Sequence, residues 1–150
     1  MELITGLFNM DFTALVPKLE RILGSIRPVM TLALLVGPLA LLVLGLLYLF
    51  LTPPEANYKF GFRTYFGMGS EEAWKFSQRM AGLIFGGLGI VLLIAMIIVT
   101  VGFGGKDAFQ IVRAAVISLL WQVGAVCLAR LAVGILAAVF FNADGSRRRE

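Results

Sequence analysis

Two stretches of this chain carry no charged residue at all, and they constrain its fold more than any other feature. Residues 28–54 give 27 consecutive uncharged positions and residues 80–105 give 26. A helix of about 20 apolar residues crosses the hydrocarbon core of a bilayer, so each stretch is long enough to span it. Backbone amides in lipid have no water to bond, and helices satisfy them internally. The composition agrees: 15% of residues are charged, against about 25% in an ordinary soluble domain, and 59% are hydrophobic. The expectation is an all-α membrane protein.

The first span is read as residues 29–51, with Gly37-Pro38 placed to bend it and Pro53-Pro54 to end it. The second is read as residues 80–103. Arg130 interrupts a third apolar region, with 16 uncharged positions before it and 13 after it. The first piece alone would reach only about 24 Å, so one helix over 112–138 that includes Arg130 is the simpler reading. Residues 1–28 place Phe12, Leu15, Leu19, Ile22 and Ile26 on one helical stripe. Such an amphipathic segment suits the membrane interface or the protein's own spans. Pro17 fits best in its first turn. Three spans, a loop over 52–79 and a basic tail over 142–150 complete the organisation.

Several chemistries are missing from the residue inventory. The chain has no histidine, so it lacks the usual general base and the commonest metal ligand. Its one cysteine, Cys127, lies within an apolar run and has no intrachain partner. No serine or glutamate stands in an arrangement that would activate a nucleophile. Neither an enzyme nor a cofactor or metal is therefore expected. The net charge of +4 sits beside hydrophobic runs, where anionic lipid is the expected partner rather than nucleic acid.

For three crossings, the N-terminal segment and the 104–113 loop hold five basic residues, and the other side holds seven. The positive-inside rule then puts the 52–79 loop and the tail in the cytoplasm of a plasma membrane protein. At the start of the second span, Gly82 and Gly86 form a small-residue face for helix contact, either within the chain or between two copies.

The loop carries the most information. Tyr58, Phe60 and Phe62 alternate with Lys59, Gly61 and Arg63, which predicts an extended segment with an aromatic face. Ser70 reads as a helix N-cap followed by Glu71 and Glu72, where the helix dipole favours anions. Glu71 and Lys75 are four apart in the favourable order, and the helix continues through Trp74 and Ser77 into the second span. The string Gly61-x-Arg63-Thr64, then Ser70-Glu71-Glu72-x-Trp74, then Arg79 and Gly82, resembles the signature of the SdpI family of bacterial membrane proteins. Pro53-Pro54 and Asn57 look like the family's lead-in. Gln78 stands where the family more often has Asn or His, and Tyr65 and Gly67 replace a commoner Pro and Thr.

The resemblance implies a span-loop-span-span module with the loop in the cytoplasm. The family's namesake is an immunity protein that protects a producing cell from a secreted toxin and holds a transcriptional repressor at the membrane. This chain matches only its C-terminal, motif-bearing half. The implied function is a non-enzymatic immunity or signal-transduction module that meets a toxin or a cytoplasmic regulator through the loop. Arg63 would be the anchor, through a forked contact to a carboxylate or phosphate; Glu71 and Glu72 are candidate partners inside the loop. The alternatives are a small transporter or channel component, using Arg130, Gln122 and Ser118, and a structural subunit of a membrane complex. No Asp or Glu lies in any span, so the acidic relay common in cation pathways is missing. Arg130 would snorkel towards the loop side, meeting a loop carboxylate, a carbonyl near Pro53-Pro54 or a lipid phosphate.

Overall fold

A computed structural model describes residues 25–56 and 59–148. The N-terminal amphipathic segment therefore lies outside the described residues except for its last few positions. Three long helices make up the body: α1 (Ile26–Phe50), α2 (Glu71–Val101) and α3 (Ala108–Phe140). Among the described residues the remaining regular structure is a short 3-10 turn over Phe66–Met68 and an isolated antiparallel bridge between Phe141 and Arg147. All three helices are long and apolar enough to cross a membrane. At 1.5 Å per residue α1 is about 37 Å long and α3 about 50 Å, against a core near 30 Å.

The surface is arranged as a bilayer would require. Large side chains such as Leu32, Leu46, Val91, Ile98, Leu120 and Ile135 are exposed, whereas Gly45, Ala81, Gly82, Ala129 and Ala137 are buried. Lipid offers large apolar groups as good an environment as another helix does, so contacts are selected for close approach instead. The α1–α2 pair shows this directly. A Cβ added at Gly45 would stand 2.5 Å from the Gly86 nitrogen, and one at Gly82 would stand 2.5 Å from Leu49 Cγ. The Gly82/Gly86 face is thus occupied within a single chain, and α1 lies antiparallel to α2.

Pro38 sits inside α1 and is buried. Its ring nitrogen cannot donate to the carbonyl four residues earlier, that of Leu34. Gln122 of α3 supplies the missing donor: its Nε2 is 3.2 Å from the Leu34 oxygen. Gly37 makes room, since a Cβ there would come within 2.4 Å of Gln122 Oε1. Gln122 is 6% exposed and acts as a bridge between spans, which is where a buried polar side chain is expected to be hydrogen-bonded.

Two apolar clusters stack along the bundle. One joins Leu34 and Met96 to Phe103 and Ile111, towards the α2–α3 turn. The other joins Leu41, Phe62, Ala81, Phe85, Ala129 and Val133, at the end that carries the loop. Among the described residues Phe62 is the loop's one buried member of that second cluster, so the loop is packed into the bundle rather than laid over it.

Candidate functional site

The site lies at the end of the bundle where α1 ends, α2 begins and α3 ends. Its foundation is the first two turns of α2. Ser70 has extended backbone and caps the helix, its Oγ accepting from the Ala73 N–H at 3.1 Å. Glu71 and Glu72 occupy the first turn; Glu71 pairs with Lys75, and Glu72 lies 3.6 Å from Arg147 of the tail. Both pairs are well exposed, so they contribute little to stability. They do keep the loop carboxylates beside cations.

Three hydrogen bonds, made by Gln78 and Trp74, fasten the loop to this foundation, and a fourth closes its own turn. Gln78, which is 3% exposed, bonds both backbone groups of Phe62: the Phe62 N–H donates to Oε1 at 2.7 Å, and Nε2 donates to the Phe62 carbonyl at 2.6 Å. A single amide side chain thus takes the place of a neighbouring strand. Trp74, fully buried, donates its indole N–H to the Pro53 carbonyl at 2.9 Å, tying down the end of α1. Thr64 Oγ1 accepts from the Gly67 N–H at 2.9 Å and closes the 3-10 turn.

Glycine makes these contacts possible at Gly61. Its φ of +127° is one that side chains avoid, and a Cβ there would stand 2.5 Å from the Trp74 ring. The expected alternation is present, though without a sheet partner. Phe60 and Phe62 both pack on Tyr48 with ring centroids 6.1 and 6.0 Å apart, and Phe62 meets Phe85 edge-on at 5.4 Å. Lys59 and Arg63 stay exposed on either side of them. Tyr58 and Asn57 lie outside the described residues.

The C-terminal tail is the part that sequence reasoning missed. Its arginines mark it as basic, and residues 141–148 fold back as a tight hairpin. The Asn142 N–H donates to the Ser146 carbonyl at 2.9 Å and Arg148 N–H to the Phe140 carbonyl at 2.9 Å. Asp144 accepts from both the hydroxyl and the N–H of Ser146, and these hydrogen bonds hold its carboxyl below the ordinary value of 3.8. Gly145, at φ +79°, is pressed against Gly69, and its carbonyl accepts from Ser70 Oγ at 2.7 Å. One serine therefore caps α2 and holds the tail. The sequence Asn142-Ala143-Asp144-Gly145-Ser146 carried the signal, because Asn, Asp and Gly in that cluster mark a turn.

Beneath the turn, Ser77 is fully buried, and its Oγ has no hydrogen-bond partner among the described residues. A Cβ at Gly67 would come within 2.2 Å of Ser77 Oγ and 2.5 Å of Thr64 Oγ1, so glycine is required there by space alone.

Two openings flank the loop. On one side Tyr48, Thr52, Pro53, Lys75, Gln78 and Arg79 line a pocket of about 520 Å³. On the other, the loop from Phe62 to Phe66 and the α3 residues Arg130, Leu131, Gly134, Ile135 and Ala138 enclose a groove of about 370 Å³. Arg63 and Arg130, predicted separately from sequence, thus come to line the same groove. Among the described residues Arg130 makes no ion pair with a carboxylate. An arginine within a span costs about 2.5–3.5 kcal/mol on insertion scales, so its surroundings matter.

The model of the SdpI/YfhL protein family matches residues 55–142, more than half of the chain, and takes in the loop, α2, α3 and the start of the tail hairpin. No curated protein and no solved structure matches.

Proposed function

This chain belongs to the SdpI/YfhL protein family, and we propose that it is a non-enzymatic membrane module of the immunity or signalling type, whose loop binds a toxin or a regulator. The supporting observation is the division of labour within the motif. Gln78 and Trp74 hold the loop to α2, Gly61 leaves room for the Trp74 ring, Thr64 closes the turn within the loop and Ser70 caps α2 and holds the tail, while Arg63, Tyr65 and Arg79 stay exposed around it. Tyr65 is 77% exposed and stacked edge-on against Phe66. A flexible connector between two spans needs none of these contacts. A loop held in one conformation binds without a large ordering cost.

Arg63 is the anchor in this reading, with a planar fork of donors suited to a carboxylate or a phosphate. The loop and the tail face the cytoplasm, in keeping with the seven-to-five basic count and with the family resemblance. The transporter alternative loses support from Gln122, whose amide is engaged by the Leu34 carbonyl rather than lining a path.

The test is co-purification from the native membrane in mild detergent. A partner retained by the wild type and lost in both Arg63→Ala and Tyr65→Ala supports the reading; retention in both variants refutes it. Orientation is tested by labelling Met68→Cys and Arg148→Cys from outside intact cells in a Cys127→Ser background. No labelling is expected, and labelling at both positions would reverse the topology.

A further inference from the structure

The groove between the loop and α3 has an unusual lining. Two guanidinium groups, Arg63 and Arg130, share it with the apolar surface of Phe62, Leu131, Gly134 and Ile135, and among the described residues no carboxylate lines it. Leu131 and Ile135 are 60% and 61% exposed on the lipid-facing side of α3. The level of the groove follows from packing. Ala129 and Val133 meet Ala81 and Phe85, and α1 ends beside Gly82. Arg130 is therefore level with the first apolar turns of α2, which begin just after Arg79. An arginine at that depth reaches the layer of lipid phosphates.

We propose that this groove is a binding site for an anionic phospholipid. The phosphate lies between Arg63 and Arg130, and the start of an acyl chain runs along Leu131 and Ile135. The charge is complementary, and a cavity of about 370 Å³ takes a headgroup while leaving the tails in the bilayer. Bidentate guanidinium–phosphate contacts are among the stronger charge-assisted bonds, and a second arginine adds to them in a partly dehydrated site. The proposal names the anion that Arg63 takes, and so rests on the anchor role given to that residue above. It adds a consequence: lipid occupancy joins the loop to α3 and favours the fastened loop.

The experiment uses the full chain in mixed micelles, with thermal unfolding followed against added phosphatidylglycerol, phosphatidylcholine or inorganic phosphate. Phosphatidylglycerol should raise the midpoint where phosphatidylcholine does not. Arg130→Gln and Arg63→Gln should each weaken the apparent affinity roughly tenfold, and Arg113→Gln, at the opposite end of α3, should leave it unchanged. Arg130→Lys, which keeps the charge, guards against a folding defect and should retain part of the effect. Equal stabilisation by phosphatidylcholine, an unchanged response in Arg130→Gln, or the same response to inorganic phosphate would each overturn the proposal. Partner co-purification through Tyr65 is a separate readout, so a failed lipid site is distinguishable from a failed partner reading.

Discussion

Replacing Gln78 by Met removes the loop's main fastening at nearly constant volume. Two hydrogen bonds are lost, at 2.7 and 2.6 Å, and both the N–H and the carbonyl of Phe62 remain in a site where Phe62 is 7% exposed. An orphaned buried backbone group costs about 1–3 kcal/mol. Two of them would reach roughly 2–6 kcal/mol, and relaxation of a loop close to solvent places the result near the low end, about 3 kcal/mol. For a chain of this size that corresponds to a fall in Tm of roughly 6–12 °C.

Gln78→Glu separates the two bonds. It keeps the acceptor for the Phe62 N–H but turns the donor to the Phe62 carbonyl into a repelling oxygen, so it should be no better than Met at neutral pH. The assay is thermal unfolding in detergent, with limited proteolysis of the 59–69 segment as a local readout. The Met variant should be cut there at temperatures where the wild type is intact. A Tm within 1 °C of wild type, together with unchanged cleavage, would refute the role given to Gln78.

Gln122→Leu should destabilise by about 1 kcal/mol, in the range found for hydrogen bonds between membrane helices. Its effect should shrink in a Pro38→Ala background, where residue 38 regains an N–H for the Leu34 carbonyl, and a double-mutant cycle measures this coupling. Gly145→Val forces a side chain into the left-handed region and against Gly69, so it should expose the tail to carboxypeptidase while the three helices stay folded by circular dichroism. The lowered pKa of Asp144 means that its hydrogen bonds help the hairpin at neutral pH and that this help fades as the pH falls below about 3.8. Tail protection should drop over that acid range in the wild type and show no such step in Asp144→Asn.

The sequence revealed the three spans because charge exclusion over more than 20 positions has few other meanings. It also showed the Ser70 cap and the Glu71–Lys75 pair, both of which are local and depend on spacing alone. The contacts that build the site are not local. Gln78 reaches 16 residues back to Phe62, Ser70 reaches 75 forward to Gly145, and Gln122 reaches 88 back to Leu34. No periodicity encodes such pairings. Pro38 did announce a freed carbonyl, but nothing in the chain says which buried amide will answer it. The glycines were similarly half legible: Gly82 and Gly86 read as a contact face, whereas their partner Gly45 lies inside a leucine-rich run and stands out only once α1 and α2 are paired. Arg63 and Arg130 were each visible as cations near an interface, and their common groove depends on how the loop folds back over α3.

In the function proposed above, the motif holds the loop in one conformation so that its exposed residues meet a partner. Photo-crosslinking from a benzoylphenylalanine placed at position 65 in living cells tests it most directly. A discrete adduct is expected in the wild-type background, lost or greatly weakened when Gln78→Met releases the loop. An adduct of equal yield in both backgrounds would contradict it.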